Sequence, residues 1–255
     1  MNRIDLPEIE DQPWCPRWLR WIQTAYLREV IRITHAYDAS APVISESLRR
    51  SNTGEIVDLC SGAGGPWPHL IEQVETAFGK PVTVTLTDLY PQGDGDVAGD
   101  ERVTYYPDPV SAESVPAELG GARTMFTAIH HFDPSEVAHI LSSAQRDRVG
   151  FTAFEATQRS LKGVLVTLLI PLMVWLIVPK VRPVRWHVLL FTYLIPVVPL
   201  AIWWDGLAST LRSYTADELH SLISQLPDSH YSWTVGERMV ERQPIPMLQV
   251  IGRPE

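Results

Sequence analysis

The alternation of apolar and polar positions divides the chain into helices and strands. Apolar residues at helical spacing over 14–50 predict helices before any strand. Beyond them, strand-like and helix-like patterns alternate, which predicts βαβ units and a parallel sheet. The strands are predicted at 55–60, 82–88, 102–106, 122–129 and 150–157, and the intervening helices at 66–79 and 135–145. Two later strand-like runs, 231–239 and 246–252, are too close together for a helix between them and predict an antiparallel hairpin.

The length and element order predict one domain of the α/β class. A chain of 255 residues is long enough to bury a single large core. We expect a helical N-terminal cap at 1–50 on a domain that covers 51–255. The domain is interrupted by an unusually apolar helical insertion at 161–206.

The amino-acid composition of the chain limits the kinds of ligand that it is expected to bind. Thirty acidic residues against 21 basic ones give a formal charge of −9, which argues against nucleic acid as a substrate. The two cysteines, Cys15 and Cys60, form neither a disulfide framework nor a metal-ligand spacing, so no metal is expected. The first residues, MNRIDLPEIEDQPW, lack the order of a signal peptide. These features favour a cytoplasmic location.

A turn of small residues, DLCSGAGG at 58–65, follows the first predicted strand. Ligands of open parallel sheets bind beyond the carboxyl ends of the strands, and small residues there let the backbone approach a ligand closely. A dinucleotide fingerprint starting at Gly62 would need glycine at position 67, where Trp67 stands. A pyrophosphate cradle is therefore disfavoured, and a tight structural connection without a ligand stays open as the alternative.

The turn resembles motif I of the class I S-adenosylmethionine-dependent methyltransferases. The match covers Asp58, Gly62 and Gly64, while Cys60 stands where that family has its first glycine. The order of elements over roughly residues 50–252 is also similar, including the closing hairpin. The resemblance implies a Rossmann-like, seven-stranded, mostly parallel sheet and S-adenosyl-L-methionine as the cofactor.

The same resemblance implies further cofactor contacts. Asp88, at the end of the second strand, would accept hydrogen bonds from both ribose hydroxyls, because an ionised carboxylate only accepts. Asp108, after the third strand, would lie near the adenine. Four more positions are implied at the cofactor: Cys60, Ser61, Leu89 and Ile129.

Two histidines, His130 and His131, follow the fourth strand in the segment IHHF, and a similar segment occurs in many members of that family. A neutral imidazole beside a methyl acceptor can take its proton, so we expect His130 to be catalytic and His131 to contact the substrate. The alternatives are a histidine that only braces the turn, and methyl transfer by proximity alone. Asp133 and Glu136 predict the start of the next helix through a capping box.

The insertion contains two uncharged runs, 163–178 and 188–204, on either side of a basic connector. Runs of about 16 or 17 residues are at or just below the length that crosses a bilayer. Three interpretations compete: a transmembrane hairpin, a segment dipping into one leaflet, and two buried helices that roof a cavity for an apolar substrate. Membrane contact of some kind is favoured, because fully apolar helices otherwise occur in the cores of large proteins.

The segment after the second run is similar to one in several bacterial methyltransferases that carry such an insertion. It makes Asp205 a second candidate for the catalytic proton acceptor, and Arg212 and Tyr214 candidates for substrate contact. The alternatives are that Asp205 is an ordinary exit residue and that Arg212 pairs with Asp217.

These features together predict an S-adenosylmethionine-dependent methyltransferase for a lipophilic small molecule, located in the cytoplasm or at the inner face of the membrane. Oxygen is favoured as the acceptor, because IHHF replaces the (Asn/Asp)-Pro-Pro-Tyr signature of enzymes that methylate amino nitrogen. The alternative is a membrane-associated scaffold that keeps the fold without turnover. A nicotinamide oxidoreductase is disfavoured by Trp67 and by the C-terminal hairpin.

Overall fold

The computed structural model describes residues 1–91, 100–227, 230–240 and 244–255. The strands are β1 (Glu55–Leu59), β2 (Thr83–Leu86), β3 (Val103–Tyr105), β4 (Ala122–Phe126), β5 (Phe151–Glu155), β6 (Tyr231–Arg238) and β7 (Met247–Pro254). The α-helices are α1 (Arg17–Thr34), α2 (Ala41–Arg50), α3 (Trp67–Phe78), α4 (Pro134–Arg146), α5 (Leu161–Thr167), α6 (Ile170–Ile177), α7 (Trp186–Tyr193), α8 (Val197–Arg212) and α9 (Ala216–Ile223).

The strands form one sheet in the order β3-β2-β1-β4-β5-β7-β6. The first five pair in parallel, and β7 runs antiparallel to both of its neighbours. Strands β4 and β5 are buried along their whole length, as expected of central strands covered on both faces. The predicted fold class, a seven-stranded α/β sheet with a C-terminal antiparallel hairpin, is confirmed.

Two hydrophobic cores lie against the sheet. One core packs α2 and α3 on the sheet, with Trp67 and Phe154 fully buried in it. The other packs α4 and α9 around Phe151. The predicted capping box at the start of α4 is present, and α9 begins with a second one at Thr215 and Glu218, so backbone donors at these helix ends are satisfied.

A third core joins α1 to the helices of the insertion. Ile22 and Ala25 of α1 are buried with Val174 of α6 and Val198 of α8. The two helices of the predicted N-terminal cap therefore pack on different parts of the protein: α1 contacts the insertion, and α2 contacts the sheet. The predicted end of the insertion, residue 206, lies inside α8.

The two apolar runs form bent helix pairs. The axis turns by 42° between α5 and the α6 segment and by 74° between α7 and α8. Pro171 and Pro196 stand at these breaks, where a missing N–H and a fixed φ oppose a continuous helix. Within the described residues no single helix has the length and apolarity to span a bilayer, and the two bent pairs reach that threshold only when each pair is counted together.

The insertion helices bury one face and expose the other. Leu168 is 61% exposed and Trp175 is 49% exposed, although both lie in uncharged runs. The interpretation that both insertion helices are buried is therefore wrong for the face that carries these exposed side chains. The large apolar side chains exposed on the insertion are Leu161, Leu165, Leu168, Leu169, Leu172, Trp175, Leu176, Val184, Trp186, Tyr193, Leu194, Ile195, Val197 and Leu200.

Candidate active site

A cavity of about 510 Å³ lies at the carboxyl ends of β1, β2 and β4. One side, which we call the sheet wall, consists of lining residues from 58–65 and 88–90. The opposite side, the N-terminal wall, consists of lining residues from 5–12 together with His131 and Arg212. The cavity therefore lies at the predicted edge of the sheet, but five of its lining residues come from 5–12, a segment that precedes every predicted element.

The glycine-rich turn of the sheet wall has an unusual backbone. Cys60, Gly62, Gly64 and Gly65 all have φ between 51° and 99°, in the left-handed region that favours glycine. Cys60, at φ 57°, adopts the conformation for which the resembled motif uses its first glycine. Burial raises the pKa of the Cys60 thiol well above its usual range, so this side chain is a small neutral group in the wall.

Asp58 anchors the turn from the end of β1. Its carboxylate accepts hydrogen bonds from Ser61 Oγ at 2.7 Å and from Thr124 Oγ1 at 2.6 Å. Burial is the largest influence on this carboxyl and raises its pKa from 3.8 to about 6, although these hydrogen bonds act in the opposite direction. Asp58 therefore ties the turn to two neighbouring strands and also lines the cavity.

Asp88 holds the turn from the other side. Its Oδ2 accepts from the Gly62 amide at 2.8 Å and its Oδ1 accepts from the Tyr90 amide at 2.8 Å. Each carboxylate oxygen has a further acceptor site, because ionised carboxyl groups offer about four in total. Asp88 and Leu89, two of the predicted cofactor contacts, both line the cavity.

Three predicted cofactor positions lie elsewhere among the described residues. Gly64 is within the turn, where its amide donates to Ser61 O at 2.8 Å, but it does not line the cavity. Asp108 is exposed in the loop after β3. Ile129 is buried and its amide donates to Glu155 Oε1 at 2.7 Å, while its neighbour Ala128 lines the cavity.

His130, the first candidate for the catalytic base, is not among the described lining residues. It is only 1% exposed, and its Nδ1 lies 2.7 Å from Glu155 Oε2. Its Nε2 lies 3.6 Å from Glu8 Oε1. The structure therefore places His130 in the protein interior, behind the N-terminal wall.

His131 does line the cavity and lies among acidic residues. Its Nδ1 is 2.9 Å from Asp11 Oδ1, and its Nε2 is 4.0 Å from Glu10 Oε1. Burial opposes a charge on this ring, but Glu8 and Asp11 together hold the pKa of His131 well above its usual range. The predicted substrate contact is thus a cavity residue.

Arg212, predicted for substrate contact, extends from the end of α8 into the N-terminal wall. Its Nε lies 3.2 Å from Asp5 Oδ1, and its Nη1 lies 3.3 Å from Asp11 Oδ2. Its Nη2 donates to the His131 carbonyl at 2.5 Å. The carboxylates that it contacts therefore come from the N-terminal segment, in place of the alternative partner Asp217.

Asp205 and Tyr214, the other two candidates from this region, brace the wall from outside the described lining. Asp205 is buried in α8 and accepts from the amides of Ile9 at 2.6 Å and Glu10 at 3.1 Å. Burial raises the pKa of Asp205 to about 7. Tyr214 donates through its hydroxyl to the Phe132 carbonyl at 2.7 Å.

Three acids of the N-terminal segment are functional candidates that the sequence reasoning missed: Glu8, Glu10 and Asp11. They belong to the short acidic run PEIED, which carries no strand or helix pattern of its own. The only signal in the sequence was this concentration of acids directly before the first helix. Nothing in its spacing predicts contact with histidines more than a hundred residues later.

The comparisons with known proteins concern the fold. No family model and no curated protein matches the chain. Among solved structures, human N-acetylserotonin methyltransferase in complex with SAM shares 10% identity at a TM-score of 0.45, covering 87% of this chain and 53% of that one. The pyocyanin biosynthetic protein PhzM shares 16% sequence identity at a TM-score of 0.44, and the match covers 86% of this chain and 56% of that one. The mitomycin 7-O-methyltransferase MmcR shares 13% identity at a TM-score of 0.48, and the match covers 97% of this chain and 70% of that one.

This chain thus spans little more than half the length of the first two structures. Similarity at 10–16% identity extends to the arrangement of strands and helices and no further. The function of this chain has to be argued from its own residues.

Proposed function

We propose that this chain is an S-adenosylmethionine-dependent methyltransferase that acts on a lipophilic small molecule, with oxygen as the favoured acceptor. The observation that carries the proposal is Asp88, a half-buried carboxylate just after β2 that lines a cavity and is fixed by two backbone amides. A carboxylate held in this way is preorganised to bind a vicinal diol, because the two oxygens cannot turn away.

The sheet wall fits the rest of such a cofactor. A Cβ on Gly62 would lie 3.2 Å from Thr24 Cγ2, so the close packing of the turn on α1 favours glycine at this position. The backbone of 62–65 would meet the amino-acid end of the cofactor, and Leu89 would contact its base. When bound, S-adenosylmethionine supplies an electrophilic methyl group on a sulfonium. A cavity of about 510 Å³ falls within the usual range for small-molecule sites.

The remaining space favours an apolar acceptor that carries one reactive polar group. Leu27, Ile31, Phe126 and Phe132 line the cavity together with the polar N-terminal wall. Such a lining would hold the apolar part of an acceptor by burial and orient its hydroxyl toward the acids.

The proton of that hydroxyl would go to a carboxylate of the N-terminal wall. Glu10 and Asp11 line the cavity, whereas His130 and Asp205 are absent from the lining that the structure describes. We therefore replace the two catalytic candidates of the sequence by these two acids. Glu10 and Asp11 are chosen because they line the cavity, and a general base must be within reach of the proton that it accepts.

The assay for this proposal uses methyl-tritiated S-adenosylmethionine and a lipid extract as the acceptor mixture. We expect label to pass into the organic phase with the wild type and to fall to background with Asp88→Ala. Label in the aqueous phase alone would overturn the lipophilic acceptor. Bound cofactor without any transfer, across both polar and apolar extracts, would favour the non-catalytic scaffold.

We also propose that the exposed apolar face of the insertion docks on an anionic lipid surface. From 156 to 204 the chain has no acidic residue, although its net charge is −9. Lys162, Lys180 and Arg182 are exposed in this stretch. Apolar side chains beside cations suit the boundary between acyl chains and anionic head groups.

Two exposed aromatic residues, Trp175 and Tyr193, join the two bent pairs at the surface. Tyr193 Oη at the end of α7 donates to the Trp175 carbonyl of α6 at 2.6 Å, and the two rings lie 6.5 Å apart. An apolar acceptor dissolved in the bilayer would then be delivered close to the cavity, because α1 packs on α6 and α8 and also lines the cavity.

Co-sedimentation with vesicles tests the docking surface. We expect the wild type to pellet with phosphatidylglycerol vesicles and to do so less with phosphatidylcholine. The double variant Leu172→Gln and Leu176→Gln should stay in solution, whereas Met239→Gln, an exposed apolar side chain on another part of the chain, should pellet as the wild type does. Failure of the wild type to pellet, or a stable dimer that hides this face in light scattering, would contradict the proposal.

A further inference from the structure

Two buried groups face each other across a gap beside the cavity. His130 Nδ1 lies 2.7 Å from Glu155 Oε2, and a carboxylate can only accept, so this nitrogen carries its proton. The other nitrogen, Nε2, faces Glu8 Oε1 at 3.6 Å. That distance is too long for a hydrogen bond. Both side chains are only 1% exposed.

Glu8 Oε1 has no hydrogen-bond partner within the part of the chain that the structure describes. The other oxygen of this carboxylate accepts from Ser209 Oγ at 3.0 Å, which fixes its orientation. A buried carboxylate oxygen that accepts no hydrogen bond has lost its hydration, which is costly unless a ligand or nearby charges compensate. The atom is therefore aimed at a position that some electron-pair acceptor should fill.

We propose that Glu8, His130 and His131 bind a divalent first-row transition-metal ion. One ligand atom of each of these three side chains lies within 4.8 Å of the others. The Glu155–His130 contact is the arrangement that orients metal-bound histidines, since a carboxylate on one ring nitrogen fixes the other toward the metal.

The spacing of the ligand atoms suits such an ion. With metal–ligand bonds of about 2.0–2.2 Å, atoms around a tetrahedral ion lie about 3.4 Å apart. Glu8 Oε1 lies 3.6 Å from His130 Nε2, and the other oxygen of the same carboxylate, Oε2, lies 3.8 Å from His131 Nδ1. This nitrogen also lies 2.9 Å from Asp11 Oδ1, so a bound ion would compete with that contact. Two imidazoles and a carboxylate are a mixed donor set typical of zinc, iron and manganese sites.

The charges around the cluster also favour a cation. The nearest guanidinium is Arg212, whose Nη1 lies 3.5 Å from Glu8 Oε1. This single charge is already shared with Asp5 and Asp11, at 3.2 and 3.3 Å. Glu155 adds a further carboxylate at His130. The carboxylates Asp5, Glu8, Asp11 and Glu155 therefore outnumber the two cations, Arg212 and His131.

The ion would lie behind the cavity, on the far side of His131. His131 lines the cavity, whereas Glu8 and His130 are absent from its described lining. A role for the ion in methyl transfer rests on the function proposed above. In that case the ion would fix the position of the N-terminal wall, against which the hydroxyl of the acceptor binds. The ion site itself depends only on the geometry of the three ligands.

Equilibrium dialysis of the full chain against Zn²⁺ and, separately, Mn²⁺ tests the site. We expect saturable binding of about one ion per chain, with affinity reduced about 100-fold or more in Glu8→Gln and in His130→Asn. The matched controls are Glu113→Gln and His139→Asn, which alter an exposed Glu–His pair outside the cluster. Both controls should bind as the wild type does.

Equal binding by the wild type and both cluster variants, or no binding of either metal, would overturn the inference. If a variant does not fold, pulsed EPR of the Mn²⁺-loaded wild type decides: nitrogen hyperfine coupling supports the histidine ligands, and its absence contradicts them. Cofactor binding is measured in the same samples. Binding of S-adenosylhomocysteine without metal binding would support the proposed function and overturn the metal site. Metal binding without S-adenosylhomocysteine binding would support the metal site and contradict the proposed function.

Discussion

The two walls of the cavity are built in different ways. The sheet wall consists of residues close together in the sequence, at the ends of adjacent strands whose register is fixed by backbone pairing. The N-terminal wall depends on contacts between the two ends of the chain, such as the bond from Ile9 N to Asp205 across 196 positions. The first wall is a property of a local motif and the second of the complete fold.

The walls also differ in their chemistry. The sheet wall presents backbone groups and two carboxylates that are each tied by short hydrogen bonds, Asp58 and Asp88. The N-terminal wall concentrates acids around His131 and Arg212. A fixed, sparsely charged surface suits a constant cofactor, and a polar surface on a separate segment suits an acceptor that differs between enzymes. Changes in the two walls should therefore have separable effects.

The largest expected effect comes from Asp88→Ala in the sheet wall. Losing two charge-assisted hydrogen bonds to the ribose hydroxyls should weaken S-adenosylhomocysteine about 100-fold or more. The matched control is Asp108→Ala, which removes an exposed acid at the same edge of the sheet and should leave the affinity unchanged. Fluorescence or calorimetric titration gives both values, and equal losses in the two variants would contradict the assigned roles.

Asp58 should make stability depend on pH. Its pKa is about 6 in the folded protein against 3.8 as the reference, so the folded state retains this proton more tightly than the unfolded chain. The free energy of unfolding should therefore fall by about 3 kcal/mol as the pH rises through that window, and stay level above it. Urea unfolding of Asp58→Asn should lack this part of the slope. An identical slope in both proteins would mean that Asp58 is ionised without cost.

Asp205→Ala should loosen the N-terminal wall alone. Without this carboxylate the amides of Ile9 and Glu10 lose their acceptor, and their hydrogen exchange should accelerate about 30-fold, which corresponds to about 2 kcal/mol. The amide of Gly62, held by Asp88, serves as the internal control and should exchange as in the wild type. Equal acceleration at all three amides would show that the walls are coupled.

The smallest effect concerns Cys60. Its φ of 57° is costly for a residue with a Cβ, so Cys60→Gly should be about 1 kcal/mol more stable than Cys60→Ala. Comparing the two variants cancels the loss of the thiol. Thermal unfolding measures the difference, and a more stable alanine variant would show that the turn is not strained at this position.

The sequence allowed prediction of the sheet because its signal is local. Alternating patterns predict all seven strands, and Asp133 with Glu136 marks the start of α4, which the structure contains. The glycine-rich turn and Asp88 follow directly from strand ends, where a parallel sheet binds its ligands. These features need no knowledge of distant contacts.

The N-terminal wall could not be predicted in the same way. Its acids have no periodicity, and the partner of Glu8 at the histidine pair lies more than a hundred residues away. His130 and His131 are adjacent in sequence, yet of the two only His131 lines the cavity, because Glu155 holds the His130 ring in the interior. The exposed face of the insertion could not be predicted either, because a uniformly apolar run does not show which side of a helix is buried.

The most direct test of the central claim is calorimetric titration of the wild-type chain with S-adenosylhomocysteine, with NAD⁺ as the comparison ligand. The sheet wall predicts saturable binding at one site per chain for the first ligand and no heat for the second. Absence of binding at millimolar S-adenosylhomocysteine, or equal binding of NAD⁺, would contradict the claim that this cavity is built for a methyl donor.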